Sequence, residues 1–515
     1  MVAGGRTVAE PRLSPDGRQV AFVTVQDGVS RLVVVDAAGG PEVVVAADPA
    51  PFPARSDGGG AFDWLPDGSA LVYAGRKGGL WLQPVGGGPA RCLAEGEDIA
   101  APAASPDGTH VAYEVDAHHV FVVDLDGGAP VQVSGDVDFV ADPAWSHDGA
   151  LAWVEWDVPA MPWDSSRLVV WAGAGRRTLA GGPGVQVQQP RFSPDGRSIA
   201  YLCDEGGWLN LHVRDLATGA TRVLAEEREH GGPTWGPGRR TFCWAPDSSA
   251  LALVRNEGGF GALVRWVPGG DVVQLGRAVH HALSWVGDTI VAVRTGGRTP
   301  TQVVAYEGDQ RRTLAVGPVA FGDAPLPEPD LVTWPGDDGA TIHGRLFRAE
   351  DDRPGLLCWL HGGPTDQWGV EWRPRFSYWL DRGWSILVPD HRGSTGHGRA
   401  YTQAMAGRWG ELDVADVAAG IRAAAEHGWG DPDRVVLVGG SAGGFTVLNV
   451  LASHPDLCAA GVDLYGVADL FALAAVDHRY EQHYLHSLVG PLPEHADAYR
   501  ERSPVHRAEA ITAPL

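Results

Sequence analysis

The sequence predicts an all-β, seven-bladed β-propeller followed by an α/β sheet domain, and three observations carry that prediction. A Pro-Asp-Gly turn recurs at blade-like intervals through the first 320 residues; strands begin to alternate with helical stretches after residue 325; and one later strand runs into Gly-x-Ser-x-Gly just ahead of a helix.

The turn first appears as Ser14-Pro15-Asp16-Gly17. It returns as Leu65-Pro66-Asp67-Gly68, Ser105-Pro106-Asp107-Gly108, Ser146-His147-Asp148-Gly149, Ser193-Pro194-Asp195-Gly196 and Ala245-Pro246-Asp247-Ser248, with a degenerate seventh copy at Trp285-Val286-Gly287-Asp288. The aspartates are spaced by about 45 residues on average, the length of a four-stranded propeller blade. Pro presets φ for a type I turn, Asp hydrogen-bonds its own backbone, and Gly takes the left-handed conformation that rejoins the strands. Short apolar strands follow at 19–25, 70–74, 110–114, 198–202 and 250–254, and further ones at 32–36, 120–124, 209–215 and 263–267. Trp64, Trp145, Trp244 and Trp285 sit at or just before the turn, placed to pack between neighbouring blades.

Composition agrees with a large, turn-rich globular protein. Gly (70) and Pro (38) supply about a fifth of the 515 residues, while 44% are hydrophobic and 20 are Trp, enough for extensive cores. The net charge of -24 argues against nucleic acid or an anionic membrane as partner, since either needs clustered basic residues. Lys77 is the single lysine. Cys92, Cys203, Cys243, Cys358 and Cys458 are odd in number and widely spaced, which suits neither a disulfide framework nor a metal site and points to reduced thiols in the cytoplasm. Met1 to Pro11 lacks the apolar run of a signal peptide, and no stretch is apolar enough to span a membrane. No metal, phosphate or dinucleotide motif stands out, so no cofactor is assigned; a homo-oligomer stays open.

The chain therefore divides into a propeller at 1–325 and a second domain at 326–515, joined at the stiff Pro325-Leu326-Pro327-Glu328-Pro329. Strands are expected at 330–335 and 340–348. A buried strand at 356–360 ends in His361-Gly362-Gly363-Pro364, and another at 385–388 leads to Asp390-His391-Arg392-Gly393-Ser394; both motifs lie at carboxyl ends of strands, where α/β sheets place ligands. A helix is expected at 412–427, a strand at 435–438, then Gly439-Gly440-Ser441-Ala442-Gly443-Gly444 and a helix at 445–453.

Strand, sharp turn and helix around a serine make the nucleophile elbow of the α/β-hydrolase fold, which lifts a hydroxyl above the sheet and needs glycines where side chains would collide. In a glycine-rich chain the five-residue pattern is a weak signal alone; its place between strand and helix, downstream of a His-Gly-Gly strand end, gives it weight. Ser441 is the expected nucleophile. The oxyanion that forms on its attack would be received by the backbone N–H of Ala442 and one from the His-Gly-Gly loop, that of Gly363. His361 precedes the serine, whereas the hydrolase order is Ser, acid, His, so it reads as a loop-packing residue.

Together the seven-bladed propeller pattern with its recurring Pro-Asp-Gly turns, His361-Gly362-Gly363-Pro364, the Asp390 to Gly398 segment and Gly439 to Gly444 resemble the prolyl oligopeptidase family of serine peptidases, and within it the acylaminoacyl-peptidase and dipeptidyl-peptidase-like branch. Tyr465 to Leu470 and Arg502-Ser503-Pro504 resemble segments of the same family. The resemblance implies hydrolysis of short peptides, with the propeller restricting access to the active site. It also implies paired glutamates holding a substrate's free amino group, for which Glu226 and Glu227, ahead of a long insertion at 231–240, are the candidates; a solvated acidic loop is the plainer reading.

One departure matters. The family's triad acid and histidine are expected after the strand that would begin near Ile511-Thr512-Ala513-Pro514-Leu515, so neither is present in the chain and its hydrolase domain reads as incomplete at the C-terminal end. A chain ending at Leu515 is thus expected to lack turnover. Asp463, on the strand after the nucleophile helix, is the substitute acid to consider, and His478, His483, His486 and His506 are the later histidines. Two other readings stay open: an esterase using the same elbow, and a non-catalytic propeller binding module.

Overall fold

Seven four-stranded antiparallel sheets follow one another along the first part of the chain, each built from four consecutive strands, and a six-stranded mixed sheet follows them. The computed structural model describes residues 5–52, 60–173, 175–317, 328–475 and 479–515. The chain divides into two compact units, Met1–Gly296 with Pro300–Ala320, and Gly297–Thr299 with Phe321–Leu515. The linker residues 325–327, and the boundary read there from sequence, lie outside the described residues. No described helix is long and apolar enough to cross a membrane.

The seven sheets are the blades of the predicted propeller. In the first, Thr7–Leu13, Gln19–Gln26, Val29–Asp36 and Val43–Ala46 pair in order; in the last, Val279–Val286, Thr289–Gly296, Thr299–Glu307 and Gln310–Val316 do so. First and last blade meet by packing of Val8, Leu13 and Val33 with Val291, Val303 and Leu314. The Leu13 N–H donates to Ser284 Oγ at 3.2 Å across the same seam.

The recurring turn behaves as its residue types dictate. Gly17 N–H donates to Ser14 O at 2.8 Å, and the Asp16 carboxylate accepts from the Ser14 hydroxyl at 2.6 Å and the Arg18 N–H at 3.0 Å. Gly17 takes φ 73°, in the left-handed region that glycine enters at least cost.

Two kinds of tie between blades recur; the sequence points to the tryptophans but not to the bulges. Six residues before the turn aspartate, five blades place Glu10, Ala101, Asp142, Gln189 and Ala282 at φ between 48° and 63°, each at a β-bulge in the first strand. Where the residue is polar it ties other blades: Glu10 accepts the Ala61 N–H at 2.9 Å, Gln189 Oε1 the Thr241 N–H at 2.8 Å, and Asp142 the Gly238 N–H at 2.6 Å. The tryptophans supply the second tie. Trp64, Trp145 and Trp244 donate their indole N–H to Arg12 O, Ala103 O and Arg191 O of the preceding blade at 3.1, 3.0 and 3.0 Å. Trp285 departs from the expectation for the group: its N–H bonds Gly287 O in its own turn at 3.0 Å.

In the second unit the strands lie in the order Asp330–Pro335, Thr341–Phe347, Trp384–Asp390, Gly355–Leu360, Val435–Gly440, Ala460–Leu464. Asp330–Pro335, Thr341–Phe347 and Trp384–Asp390 pair antiparallel in succession, and the four strands from Trp384–Asp390 onward run parallel, as strand–helix alternation requires. Strand periodicity sorts the core. Leu356, Cys358 and Leu360 pack on one face with Val417 and Ile421 of the helix Leu412–Glu426 and Val447 and Leu451 of the helix Ala442–Ser453. Leu357 and Trp359 pack on the other with Phe376 of the helix Pro374–Leu380.

Candidate active site

The site starts from one bend of backbone. Val435–Gly440 is flanked by Gly355–Leu360 and Ala460–Leu464, and the helix Ala442–Ser453 begins on the residue after Ser441. Ser441 itself takes φ 54°, ψ -126°, outside the comfortable regions for a side-chain-bearing residue. Such strain costs on the order of 1–3 kcal/mol and persists only where the surroundings over-determine it. They do so here: the Ser441 N–H donates to Leu464 O at 3.1 Å, and the Phe445 N–H donates to Ser441 O at 3.1 Å. A Cβ at Gly439 would stand 2.4 Å from Gly443 O, and one at Gly443 would stand 2.6 Å from His361 O. The helix therefore starts three residues earlier than expected, because Gly443 and Gly444, poor helix formers, serve close approach instead.

The Ser441 side chain is exposed and faces a cleft that Gly363 and Ala442 also line, so the expected nucleophile and both expected oxyanion donors share one cavity. Trp409, Leu473, Tyr484, Leu485 and Leu488 give it an apolar wall, and Glu481 and Gln482 add polar groups.

The loop carrying Gly363 is held by His361, which is fully buried. Its Nδ1 donates to Gly362 O at 2.7 Å, its Nε2 accepts from the Ser394 hydroxyl at 2.8 Å, and its ring stacks on His391 with centroids 4.9 Å apart. Burial, then the charge of His391, pushes its pKa down to about 3, so the ring is neutral at ordinary pH. It is an anchor, in keeping with its reading as a packing residue.

Asp390, at the end of Trp384–Asp390, is buried beneath the same loops. Arg345 grips it with two bonds of 2.7 and 2.5 Å, and His397 Nε2 and Gln367 Nε2 reach it at 2.8 and 2.7 Å. Burial works to raise its pKa, but the Arg345 charge and the His397 bond outweigh it and hold the carboxyl well below the usual range. Arg392 is taken by Asp416 at 2.6 Å and Asp338 at 2.5 Å. Asp413, fully buried, accepts the Gly410 N–H at 2.7 Å and the Thr446 hydroxyl at 2.6 Å, and burial raises its pKa. Arg345, Asp413 and Asp416 escaped the sequence reading; the only local signal was a charged residue set among apolar ones.

The substitute acid and the described later histidines make other contacts. Asp463 accepts the Gly466 N–H at 2.9 Å and holds that turn. His483 and His486 meet edge to face at 5.0 Å, His506 is exposed, and His478 lies outside the described residues. None of the described ones hydrogen-bonds Ser441. Glu226 and Glu227 belong to the propeller unit: Glu226 is paired with His230 at 3.3 Å and Arg255 at 3.4 Å, while Glu227 is exposed. Glu226 thus has its charge matched within the fold.

A seven-bladed propeller followed by an α/β-hydrolase sheet with serine at its elbow defines a class of two-domain hydrolases. A model described as the prolyl oligopeptidase family matches residues 369–515. The crystal structure of a puromycin hydrolase is 31% identical with a TM-score of 0.88, over 98% of this chain and 85% of that one. A Mycobacterium tuberculosis puromycin-hydrolyzing peptidase is 26% identical with a TM-score of 0.89, over 99% and 84%. Among curated relatives, dipeptidyl aminopeptidase BIII of Pseudoxanthomonas mexicana is 33% identical over 168 residues, 31% of this chain; the match spans only 24% of that relative's own length. The chain belongs to the prolyl oligopeptidase family.

Proposed function

We propose that the protein is a serine peptidase that hydrolyses short peptides and aminoacyl amides through an acyl-enzyme on Ser441. The observation that carries this reading is the strained Ser441 backbone, which sets the hydroxyl in one cleft with Ala442 and Gly363. Attack of Ser441 Oγ on the scissile carbonyl carbon makes an oxyanion, which the Ala442 and Gly363 N–H groups receive; each such donor is worth about 3 kcal/mol in the transition state. The hydroxyl proton passes to a general base and from it to the amine that collapse expels; water, deprotonated by the same base, then releases the acyl group. The apolar wall of Trp409, Leu473, Tyr484 and Leu488 favours a bulky apolar side chain on the acyl side, in line with relatives described as acting on puromycin. The odd number and wide spacing of the five cysteines support work in the reducing cytoplasm.

The test is turnover of arylamides of aromatic and acidic residues by the full-length protein and its Ser441→Ala variant. The reading expects preference for the aromatic substrate and a loss of at least about a thousandfold in kcat in the variant. Equal turnover by the variant would refute it.

A further inference from the structure

The propeller unit holds a concentration of positive charge that is unexpected in a chain of net charge -24. Four residues before the turn aspartate, blades one, two and five carry Arg12, Asp63 and Arg191, while the other four carry Ala, Cys or Ser. Asp63 is the acceptor for this group, and it is already engaged: Arg12 donates to Oδ1 at 2.9 Å and the Ala104 N–H to Oδ2 at 3.2 Å. Arg191 donates to two neutral carbonyls, Pro190 O at 2.7 Å and Arg239 O at 3.0 Å. Asp142, the other acid acting on it, accepts the Gly238 N–H. Arg240 approaches Asp63 only to 3.9 Å, and its buried Nε has no hydrogen-bond partner among the described residues. Burial, followed by the charges of Arg12 and Arg191, pulls the Arg240 pKa down to about 9.

Arg191 and Arg240 line a cavity of about 460 Å³. Its other walls include Trp145, Trp244, Trp285, Phe192 and Phe242. The three indole N–H groups are already bonded to backbone carbonyls, so these rings offer carbon to the cavity. His147, Ser193 and Ser284 also line the cavity, but the guanidinium pair is its permanent charge, in a space of the size that small-molecule sites occupy. Arg pairs with planar carboxylates through two parallel bonds, and aromatic walls bury an apolar body.

We propose that this propeller cavity binds a carboxylate attached to an apolar or aromatic body, held by Arg240 and Arg191. The cavity shares no lining residue with the Ser441 cleft, and the proposal does not rest on the peptidase reading. The same chemistry is found in a free aromatic acid and in a peptide ending in an apolar residue, and the two are separable by experiment.

Calorimetric titration of the full-length protein uses indole-3-acetate, its neutral isostere indole-3-acetamide, and N-acetyl-alanyl-phenylalanine as free acid and as amide. Saturable binding of indole-3-acetate is expected, at least tenfold weaker for the acetamide and at least tenfold weaker in Arg240→Gln. Arg240→Lys should regain part of the affinity, and the exposed control Arg18→Gln should bind as the parent does. Binding of the peptide acid but not its amide would assign chain termini as the ligand, and binding of the small acid alone would assign a free acid. Failure of indole-3-acetate to bind, or equal affinity in a folded Arg240→Gln, overturns the proposal.

Discussion

His361 Nε2 lies 2.8 Å from the Ser394 hydroxyl, and this one bond ties the loop that presents Gly363 to the loop that follows Trp384–Asp390. The imidazole has already given its Nδ1 proton to Gly362 O, so Ser394 must be the donor, and the ring is fixed in a single tautomer.

Ser394→Ala removes that donor and leaves a fully buried ring nitrogen unsatisfied. A stability loss of about 1–3 kcal/mol is expected by denaturant titration. With the peptidase activity in hand, kcat should fall more than KM rises, because Gly363 is needed in the transition state. A larger effect on KM would contradict the loop-anchoring role.

His361 also sets a pH dependence. Its folded pKa, near 3, is below the ordinary value of 6.5, so between those values the unfolded chain binds a proton that the folded chain does not. The stability contribution is complete above about pH 6.5 and is lost as pH falls toward 3. The urea midpoint should therefore drop between pH 7 and pH 4.5, and His361→Asn should show a smaller drop over the same interval. An identical drop in the variant would locate the dependence elsewhere.

Gly443→Ala tests the packing of the elbow. The added methyl meets His361 O at 2.6 Å and Leu360 O at 2.9 Å, both backbone atoms that cannot move aside cheaply. A loss of about 1–3 kcal/mol is expected, with reduced reactivity at Ser441. The exposed Gly407, where an added Cβ meets nothing, provides the contrast: its φ of 70° alone makes Gly407→Ala cost about 1–2 kcal/mol and leaves Ser441 unaffected.

Between the blades, Trp244→Phe strands Arg191 O, whereas Trp285→Phe loses a bond within its own turn. The first should cost about 1–3 kcal/mol beyond the lost ring volume, and the second less than the first, when thermal unfolding is compared. Equal costs would mean that the interblade bond carries no stability of its own.

Much of this was legible in the sequence because it is local. Pro-Asp-Gly fixes backbone angles over four residues, and Gly-x-Ser-x-Gly between strand and helix fixes an elbow. The bulges at Glu10 and Gln189 were not read, although the proline after each was visible, because what they bond lies about fifty residues away in another blade. Likewise Arg345 and Asp390 are 45 residues apart, and Asp416 reaches Arg392 across 24. Those pairings follow from sheet order, which strand periodicity alone does not give. The helix start at Ala442 was misjudged for a different reason: helix propensity counts Gly443 and Gly444 against a helix, while packing against His361 and Asp463 requires them.

Ser441 is the proposed nucleophile, and the peptidase reading depends on its reactivity. A fluorophosphonate probe applied to the full-length protein, followed by peptide mapping in a mass spectrometer, tests it most directly. One phosphonylated peptide is expected, modified at Ser441 and absent from Ser441→Ala; no adduct, or an adduct on a different residue that survives the substitution, would contradict that role.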